Sequence, residues 1–172
     1  MTAYVALLRA VNVGGTGKLP MSELKRIAEE LGLGSPRTFI ASGNLVFTGD
    51  WSESKVQEEL EKALADHMAK PVAVMVRTAA ELAAVVKANP FADAPPNRVI
   101  ATFMPKAPAK DALNAACHLD DEQMALGKRE IYVAYGPRGL GKSKLRIPAA
   151  AMGTGRNLNS VAKLAEMAKE VE

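Results

Sequence analysis

Apolar and polar residues in the first half of the chain follow the spacings of strands and helices in turn. Residues 4–13 (YVALLRAVNV) form a nearly continuous apolar run, short enough for a buried strand. Residues 20–32 repeat apolar side chains at helical spacing and stop at a glycine, which predicts an amphipathic helix. Residues 37–42 and 45–49 are strand-like, and the Gly-Asn pair between them suits a tight hairpin.

The following segments complete a β-α-β-β-α-β order. Residues 52–70 begin with a serine that can cap a helix and repeat apolar residues at helical spacing. Residues 71–77 are patterned as a strand, and Thr78 and Glu81 have the spacing of a capping box, which opens a helix ending at Lys87. This is the element order of a ferredoxin-like fold.

The second half repeats that order without sequence similarity. It predicts strands at 98–105, 122–127 and 129–135, a helix at 108–118 between the first two, and a last helix at 157–171. We therefore predict an α+β protein of two fused ferredoxin-like (βαββαβ-type) subdomains, with antiparallel sheets, helices on one face and an extra C-terminal helix. The predicted subdomains are residues 1–88 and 89–172.

Basic residues are concentrated late in the sequence. The 172 residues are 48% hydrophobic and carry a formal net charge of +3, so the total charge indicates no particular partner. Between Lys128 and Lys163, however, eight residues are basic and only Glu130 is acidic. Such a segment would attract phosphates or carboxylates, although lysines that merely solvate a surface give the same pattern.

Composition also limits location and redox chemistry. Cys117 is the only cysteine, which excludes an intrachain disulfide and a thiolate metal cluster within one chain. No apolar run approaches the roughly 18 residues that cross a bilayer, and the N-terminus is patterned like a strand. We predict a cytoplasmic protein with no membrane partner.

Residues 136–143 (GPRGLGKS) fit the phosphate-loop pattern G-x-x-x-x-G-K-[ST]. Three features oppose nucleotide hydrolysis. Pro148 follows too soon for the helix that the motif should open, the sequence lacks a magnesium-holding strand that ends in aspartate, and the short strands favour hairpins over a parallel sheet. Lys142, Ser143 and Lys144 could still hold an anion, or the glycines could serve loop geometry alone.

Two more polar stretches are candidates for anion binding. Arg156 and Asn157 precede the last helix, where unpaired N–H groups and the helix dipole favour negative charge; capping alone is the alternative. Arg9 interrupts the first apolar run and needs either a salt bridge or a ligand. Asn12 follows in a glycine-rich loop.

Residues suited to catalysis are scarce. His67 and His118 each lack a neighbour that suggests a triad or a metal pair. The acidic residues 120–122 have the pattern of a solvated turn. The sequence therefore predicts no metal site, identifies no cofactor and leaves any catalytic residue unknown.

Several segments together resemble the family known as domain of unknown function 1697: VALLRAVNVGG, KLPMSELKRIAEELG, ASGNLVF, NPF, GKSKL and TGRNLNSVAKL. The resemblance implies a cytoplasmic bacterial protein of two ferredoxin-like subdomains, with no established activity. It differs at Leu158, where the family usually has tryptophan, and at Ala41, where it usually has glutamine. The matching motif positions are Arg9, Asn12, Gly14, Gly15, Ser42, Gly43, Asn44, Ser143, Lys144, Arg156 and Asn157.

The leading hypothesis is a protein that binds an anionic, phosphate-bearing ligand such as a nucleotide, coenzyme or nucleic acid. Its ligand would be held in one cleft by Lys142, Ser143, Lys144, Arg156 and Asn157, with Arg9 and Asn12 nearby. Single-stranded nucleic acid is a weaker candidate, because aromatic residues are only 5% of the chain. An enzyme acting on a phosphorylated substrate and a module that binds another protein remain alternatives, and the sequence does not determine the oligomeric state.

Overall fold

The computed structural model describes residues 1–14 and 17–172, which divide into two units. Unit 1 comprises residues 1–83 and 163–172, and unit 2 comprises residues 84–162. Each unit is built around its own four-stranded sheet. Both sheets are antiparallel, so the chain has the predicted α+β class with two fused sheets.

The sheet of unit 1 has the ferredoxin-like strand order. Its strands are β1 (Thr2–Leu8), β2 (Gly34–Thr38), β3 (Asn44–Gly49) and β4 (Val74–Thr78), and they lie in the order β2-β3-β1-β4. The crossovers are α1 (Met21–Glu30) and α2 (Glu53–Met68). A further helix, α3 (Ala79–Lys87), follows β4 directly.

Both crossover helices of unit 1 pack on the same face of its sheet. Alternate residues of β1, such as Ala6 and Leu8, belong to one buried cluster with Leu24 of α1 and Leu60 of α2. The alternation follows from the two-residue period of a strand, and the helical positions follow from the 3.6-residue period of an amphipathic helix. Ala3, Val5 and Leu7, on the other face of β1, are also buried, so beyond the exposed Thr2 both faces of this strand are apolar.

Local capping signals in unit 1 are confirmed. The hydroxyl of Ser52 accepts a hydrogen bond from the N–H of Lys55 (3.2 Å) at the start of α2. Thr78 and Glu81 form the predicted capping box: each side chain accepts from the main-chain N–H of the other residue, at 3.1 and 3.0 Å. These bonds satisfy N–H groups that a helix leaves without internal partners.

Unit 2 repeats the strand order with different connections. Its strands are β5 (Val99–Phe103), β6 (Gln123–Leu126), β7 (Glu130–Ala134) and β8 (Thr154–Asn157), in the order β6-β7-β5-β8. The last helix, α4 (Leu158–Val171), follows β8 directly. Single turns of 3₁₀ helix at Leu140–Lys142 and Pro148–Ala150 lie between β7 and β8, where unit 1 has α2.

The helix predicted at 108–118 is wrong. Residues 110–115 form successive turns, and Cys117 pairs with Arg146 through two main-chain hydrogen bonds of 2.9 and 3.0 Å. The segment is rich in alanine and has only Leu113 as a large, partly buried side chain. Short helices depend on burying an apolar face, and this segment has too little apolar surface for one.

Three strand boundaries also differ from the predictions. β1 ends at Leu8, so Arg9 follows the strand instead of interrupting it. The turn between β2 and β3 is the five-residue segment 39–43, and Asn44 already belongs to β3. Residues 154–157 form β8, although no strand was predicted there and Asn157 was predicted as the first residue of the last helix. Four residues that include a glycine are too few to show a strand period.

Candidate functional site

The loop after β1 is held in place by one asparagine. Asn12 donates from Nδ2 to the carbonyls of Leu19 (2.8 Å) and Ala41 (2.7 Å), and its Oδ1 accepts from the N–H of Leu19 (2.7 Å). Both hydrogens of its amide are therefore used within the chain. The backbone of Asn12 is left-handed (φ 57°), which asparagine tolerates better than most residues. Asn12 thus joins the β1 exit to α1 and to the hairpin.

The hairpin 39–43 is the second part of this region. Asn44 is fully buried, and its Nδ2 donates to the carbonyl of Phe39 (2.8 Å) and the hydroxyl of Ser42 (3.0 Å). Gly43 has φ 90°, and a Cβ at this position would lie 2.7 Å from Val11 Cγ2. Only glycine fits that conformation and that close approach, so the hairpin is pressed against the β1 exit.

A cleft of about 720 Å³ opens between these two segments. Its wall comes from residues 12–14, residues 17–21 and Ala41, and most of that wall is apolar. We call it the β1 cleft. Asn12 binds both Leu19 and Ala41, and it therefore holds these two wall residues at a fixed distance from each other.

Two lysines give the β1 cleft positive charge. Lys18 lines the cleft and is exposed. Lys70 lies beside it, because a Cβ built on the lining residue Gly17 would be 3.5 Å from Lys70 Nζ. Within residues 1–14 and 17–172, neither lysine forms an ion pair. Nor does any hydrogen bond among these residues use the main-chain N–H of Gly14 or Lys18 as donor.

The glycine-rich loop 136–143 of unit 2 has a different environment. Ser143 donates from its hydroxyl to the buried carboxylate of Glu122, and Arg138 pairs with Asp120. A Cβ on Gly136 would collide with the carboxylate of Asp121. Gly136, Arg138 and Ser143 therefore lie against carboxylates of their own chain, whereas Lys142 is exposed. No helix follows Ser143 directly, in agreement with the sequence argument against a nucleotide hydrolase.

Arg156 and Asn157 are positioned by β8. Arg156 is buried, and its Nη1 donates to the hydroxyl of Thr154 (2.7 Å) and the carbonyl of Gly155 (2.9 Å). Burial lowers the pKa of Arg156 to about 10, because the charged form is disfavoured away from water. Asn157 accepts from the N–H of Ser160 (2.9 Å), so its side chain caps α4.

The predicted site residues fall into two sets, one in each unit. In unit 1, Asn12 and Gly14 line the β1 cleft, Ser42 and Asn44 build the hairpin that carries Ala41, and Arg9 follows β1 and is partly buried. Gly15 lies outside the described residues. In unit 2, Lys142 and Lys144 are exposed on the glycine-rich loop, on either side of Ser143.

Sequence reasoning missed several residues of the β1 cleft. Lys70 follows α2, and only the fold brings its ammonium to Gly17. Ala41 was noted only as a position where the family usually has glutamine, and its main-chain carbonyl is what binds Asn12. The glycine and lysine at 17 and 18 were the one local indication, since such a pair often accompanies anion binding.

Other chemistries have little support in the described parts of the chain. No group of three or more histidine, cysteine, aspartate or glutamate residues there could hold a metal ion. Among the same residues, every helix is too short or too polar to cross a membrane.

Comparison with known proteins places the sequence in a family. Residues 1–132 match the model of a family described as a protein of unknown function, DUF1697. The chain belongs to the DUF1697 family. The whole β1 cleft lies inside the part that matches this DUF1697 model, whereas Lys142 to Asn157 lie beyond it.

A solved structure shares the fold of this DUF1697 protein. It is that of the conserved bacterial protein SP0830 from Streptococcus pneumoniae, which is 27% identical with a TM-score of 0.79. The likeness covers 98% of this chain and 99% of the other, so it includes both units. No curated protein matches the sequence.

Proposed function

We propose that the protein binds a small phosphate-bearing ligand in the β1 cleft. The observation that carries the proposal is a cleft of about 720 Å³ with a mostly apolar wall. Lys18 lines this cleft, and the Lys70 ammonium lies beside its lining residue Gly17. Small-molecule sites in proteins usually measure roughly 300–1,000 Å³ and combine an apolar wall with a few polar groups. The β1 cleft has both properties.

Charge favours an anion at this position. Lys18 lines the cleft and the Lys70 ammonium lies beside Gly17. Neither lysine is neutralised by a carboxylate among the described residues. Main-chain N–H groups at Gly14 and Lys18 offer further donors. Two ammonium groups and exposed amides together suit the several oxygens of a phosphate.

The cleft is also held ready for a ligand. The three hydrogen bonds of Asn12 tie the loop after β1 to Leu19 and to Ala41. These three residues are therefore held in place before a ligand arrives, and less conformational entropy is lost there on binding. By contrast, an anion at the loop 136–143 would compete with Asp120 and Glu122, so we place the site in unit 1.

Thermal unfolding with a panel of nucleotides, phosphorylated coenzymes and inorganic phosphate tests the proposal. A ligand at about 100 times its dissociation constant should add about 2.7 kcal/mol, which raises the midpoint by roughly 5–10 °C for a chain of this size. Lys18→Ala should weaken that shift. The matched control is Lys62→Ala, which removes an exposed lysine of α2 that does not line the cleft.

The two variants also define the result that would overturn the proposal. A panel in which no compound shifts the wild-type midpoint contradicts phosphate binding. Equal losses in Lys18→Ala and Lys62→Ala would show that only the overall charge matters. A loss confined to Lys18→Ala supports the β1 cleft.

A further inference from the structure

Two large apolar residues of unit 1 are exposed, one in the wall of the β1 cleft and one next in the chain to a wall residue. Val13 lines the cleft and is 52% exposed. Ile40 is 48% exposed and immediately precedes Ala41, whose carbonyl is bound by Asn12. Apart from the N-terminal Met1, these are the large apolar residues that unit 1 exposes within its described part. Apart from Met1, the exposed large apolar residues of this unit are therefore found at the β1 cleft or next in the chain to it.

The backbone at Ile40 adds a second observation. Its φ is 52°, in the left-handed region, which a β-branched residue rarely adopts. Gly43 at the other end of the hairpin is also left-handed, and its N–H donates to the carbonyl of Ile40 (3.5 Å). Strain of this kind persists where the surrounding structure imposes it, and it is often found at ligand sites.

Further apolar residues line the same cleft. They are Leu19, Pro20 and Met21, whereas the Lys70 ammonium lies at the Gly17 side. An occupant that matches this wall has an anionic group at one position and a hydrophobic body over the rest. A wholly polar phosphate compound would leave Val13 and Ile40 in water.

We infer that the ligand of the β1 cleft is an amphipathic phosphate, with an acyl, prenyl or aromatic body that contacts Val13 and Ile40. This inference rests on the proposed function and narrows it to one ligand class. The phosphate meets Lys18 and Lys70, and the hydrophobic body follows the apolar wall towards the hairpin.

A series of monoalkyl phosphates tests the ligand class. Isothermal titration calorimetry would compare inorganic, ethyl, butyl and hexyl phosphate, with hexanol as the uncharged probe. Each methylene that enters an apolar site should tighten binding about two- to fourfold. Hexyl phosphate should therefore bind at least tenfold more tightly than ethyl phosphate, and hexanol should bind more weakly than hexyl phosphate.

Variants of Val13 and Ile40 provide the structural control. Val13→Ser and Ile40→Ser should reduce the gain per methylene and leave the binding of ethyl phosphate within about twofold. Leu119→Ser changes an equally exposed apolar residue of unit 2 and should leave the whole series unchanged. Circular dichroism of each variant would establish that the fold is kept.

The outcomes separate the two proposals. Equal affinities for ethyl and hexyl phosphate would overturn the amphipathic ligand and leave phosphate binding intact. If no phosphate binds, or if hexanol binds as tightly as hexyl phosphate, the proposed function itself fails. A chain-length dependence that Leu119→Ser removes as fully as Val13→Ser would place the hydrophobic contact outside the cleft.

Discussion

The sheets of unit 1 and unit 2 have the same strand order, and in both the last strand leads directly into a helix. Arg77 of β4 lies opposite Val5, and Arg156 of β8 lies opposite Ala101. Both arginines are buried, and in each the Nη1 atom donates to the carbonyl of the preceding residue, at 3.0 and 2.9 Å. The next residue, Thr78 or Asn157, then caps a helix. The junction of last strand and helix is thus common to both units.

The connections between strands are where the units differ. Unit 1 uses the two helices α1 and α2, whereas unit 2 uses turns and single 3₁₀ turns. The strand order survives this replacement because hydrogen bonds between strands, and not the crossovers, define the sheet. The comparison shows that the ferredoxin-like order tolerates the loss of its helices.

The two glycine-rich loops differ in electrostatics. Lys18 on the loop after β1 and Lys70 beside that loop have no acidic partner among the described residues. The loop after β7, by contrast, lies against the acidic segment 120–122. Their compositions are similar. The difference comes from a distant acidic segment, so the potential of such a loop depends on tertiary structure.

The largest expected effect is the difference in stability loss between a variant in a helical connection and one in an irregular connection. Leu60→Ala in α2 removes a fully buried side chain and should lower the free energy of unfolding by about 2–5 kcal/mol. Leu113→Ala, in the irregular segment of unit 2, is only partly buried and should cost about 1 kcal/mol. Urea unfolding of both variants measures the contrast, and equal costs would mean that the irregular segment packs as tightly as α2.

A second prediction concerns the glycines of the two loop regions. Gly43→Ala adds a Cβ at φ 90° against Val11 and Leu8 and should cost about 2–4 kcal/mol. Gly139→Ala meets nothing within 4 Å, but its backbone (φ 73°, ψ 179°) lies in a region that is essentially restricted to glycine, so it should cost about 1–3 kcal/mol from backbone strain alone. Thermal unfolding measures the loss of stability in both variants. If the two losses are equal, the hairpin is not pressed against the β1 exit.

The acidic contacts of the loop 136–143 should have unequal strengths. Ser143→Ala removes the hydroxyl donor to one carboxylate oxygen of the buried Glu122, while the N–H of Asp120 still donates to the other, and it should cost about 1–3 kcal/mol. Arg138→Gln removes a pair whose side chains are 52% and 62% exposed, and it should cost less than about 1 kcal/mol. Denaturant titrations at two salt concentrations measure the two losses in the free energy of unfolding. A larger loss in Arg138→Gln than in Ser143→Ala would contradict the prediction.

The smallest expected effects compare the two helix caps. Thr78→Ala and Asn157→Ala each remove one side-chain acceptor at a helix N-terminus and should each cost about 1 kcal/mol. Replacement by serine or aspartate at either position should restore most of the loss. Two caps with costs that differ by more than about 1 kcal/mol would show that the junctions are not equivalent.

The sequence predicted the elements whose signal is local. α1, α2 and the capping box at Thr78 and Glu81 were found because apolar spacing and capping residues lie within a few positions of one another. The segment 108–118 was predicted as a helix because alanine favours helices, but tertiary burial decided against it. β8 was missed because its pairing with β5 involves residues more than fifty positions away.

The candidate site was only partly accessible from the sequence. Asn12 and Gly14 were identified as members of a polar loop, yet the hydrogen bond from Asn12 to Ala41 spans 29 residues. Likewise, nothing near Gly17 in the sequence indicates Lys70. Local patterns identified the loop after β1. The residues that contact it, Ala41 and Lys70, are distant in the sequence and are brought to it only by the fold.

The Asn12 contact also supplies a spectroscopic reporter. The Leu19 N–H donates to the side-chain oxygen of Asn12, and Leu19 itself is buried. Its amide proton should therefore resist exchange with deuterium only while this side-chain bond is formed. In a heteronuclear correlation spectrum, the rate at which that single resonance decays in deuterium oxide would report how often this contact opens in the unmodified protein.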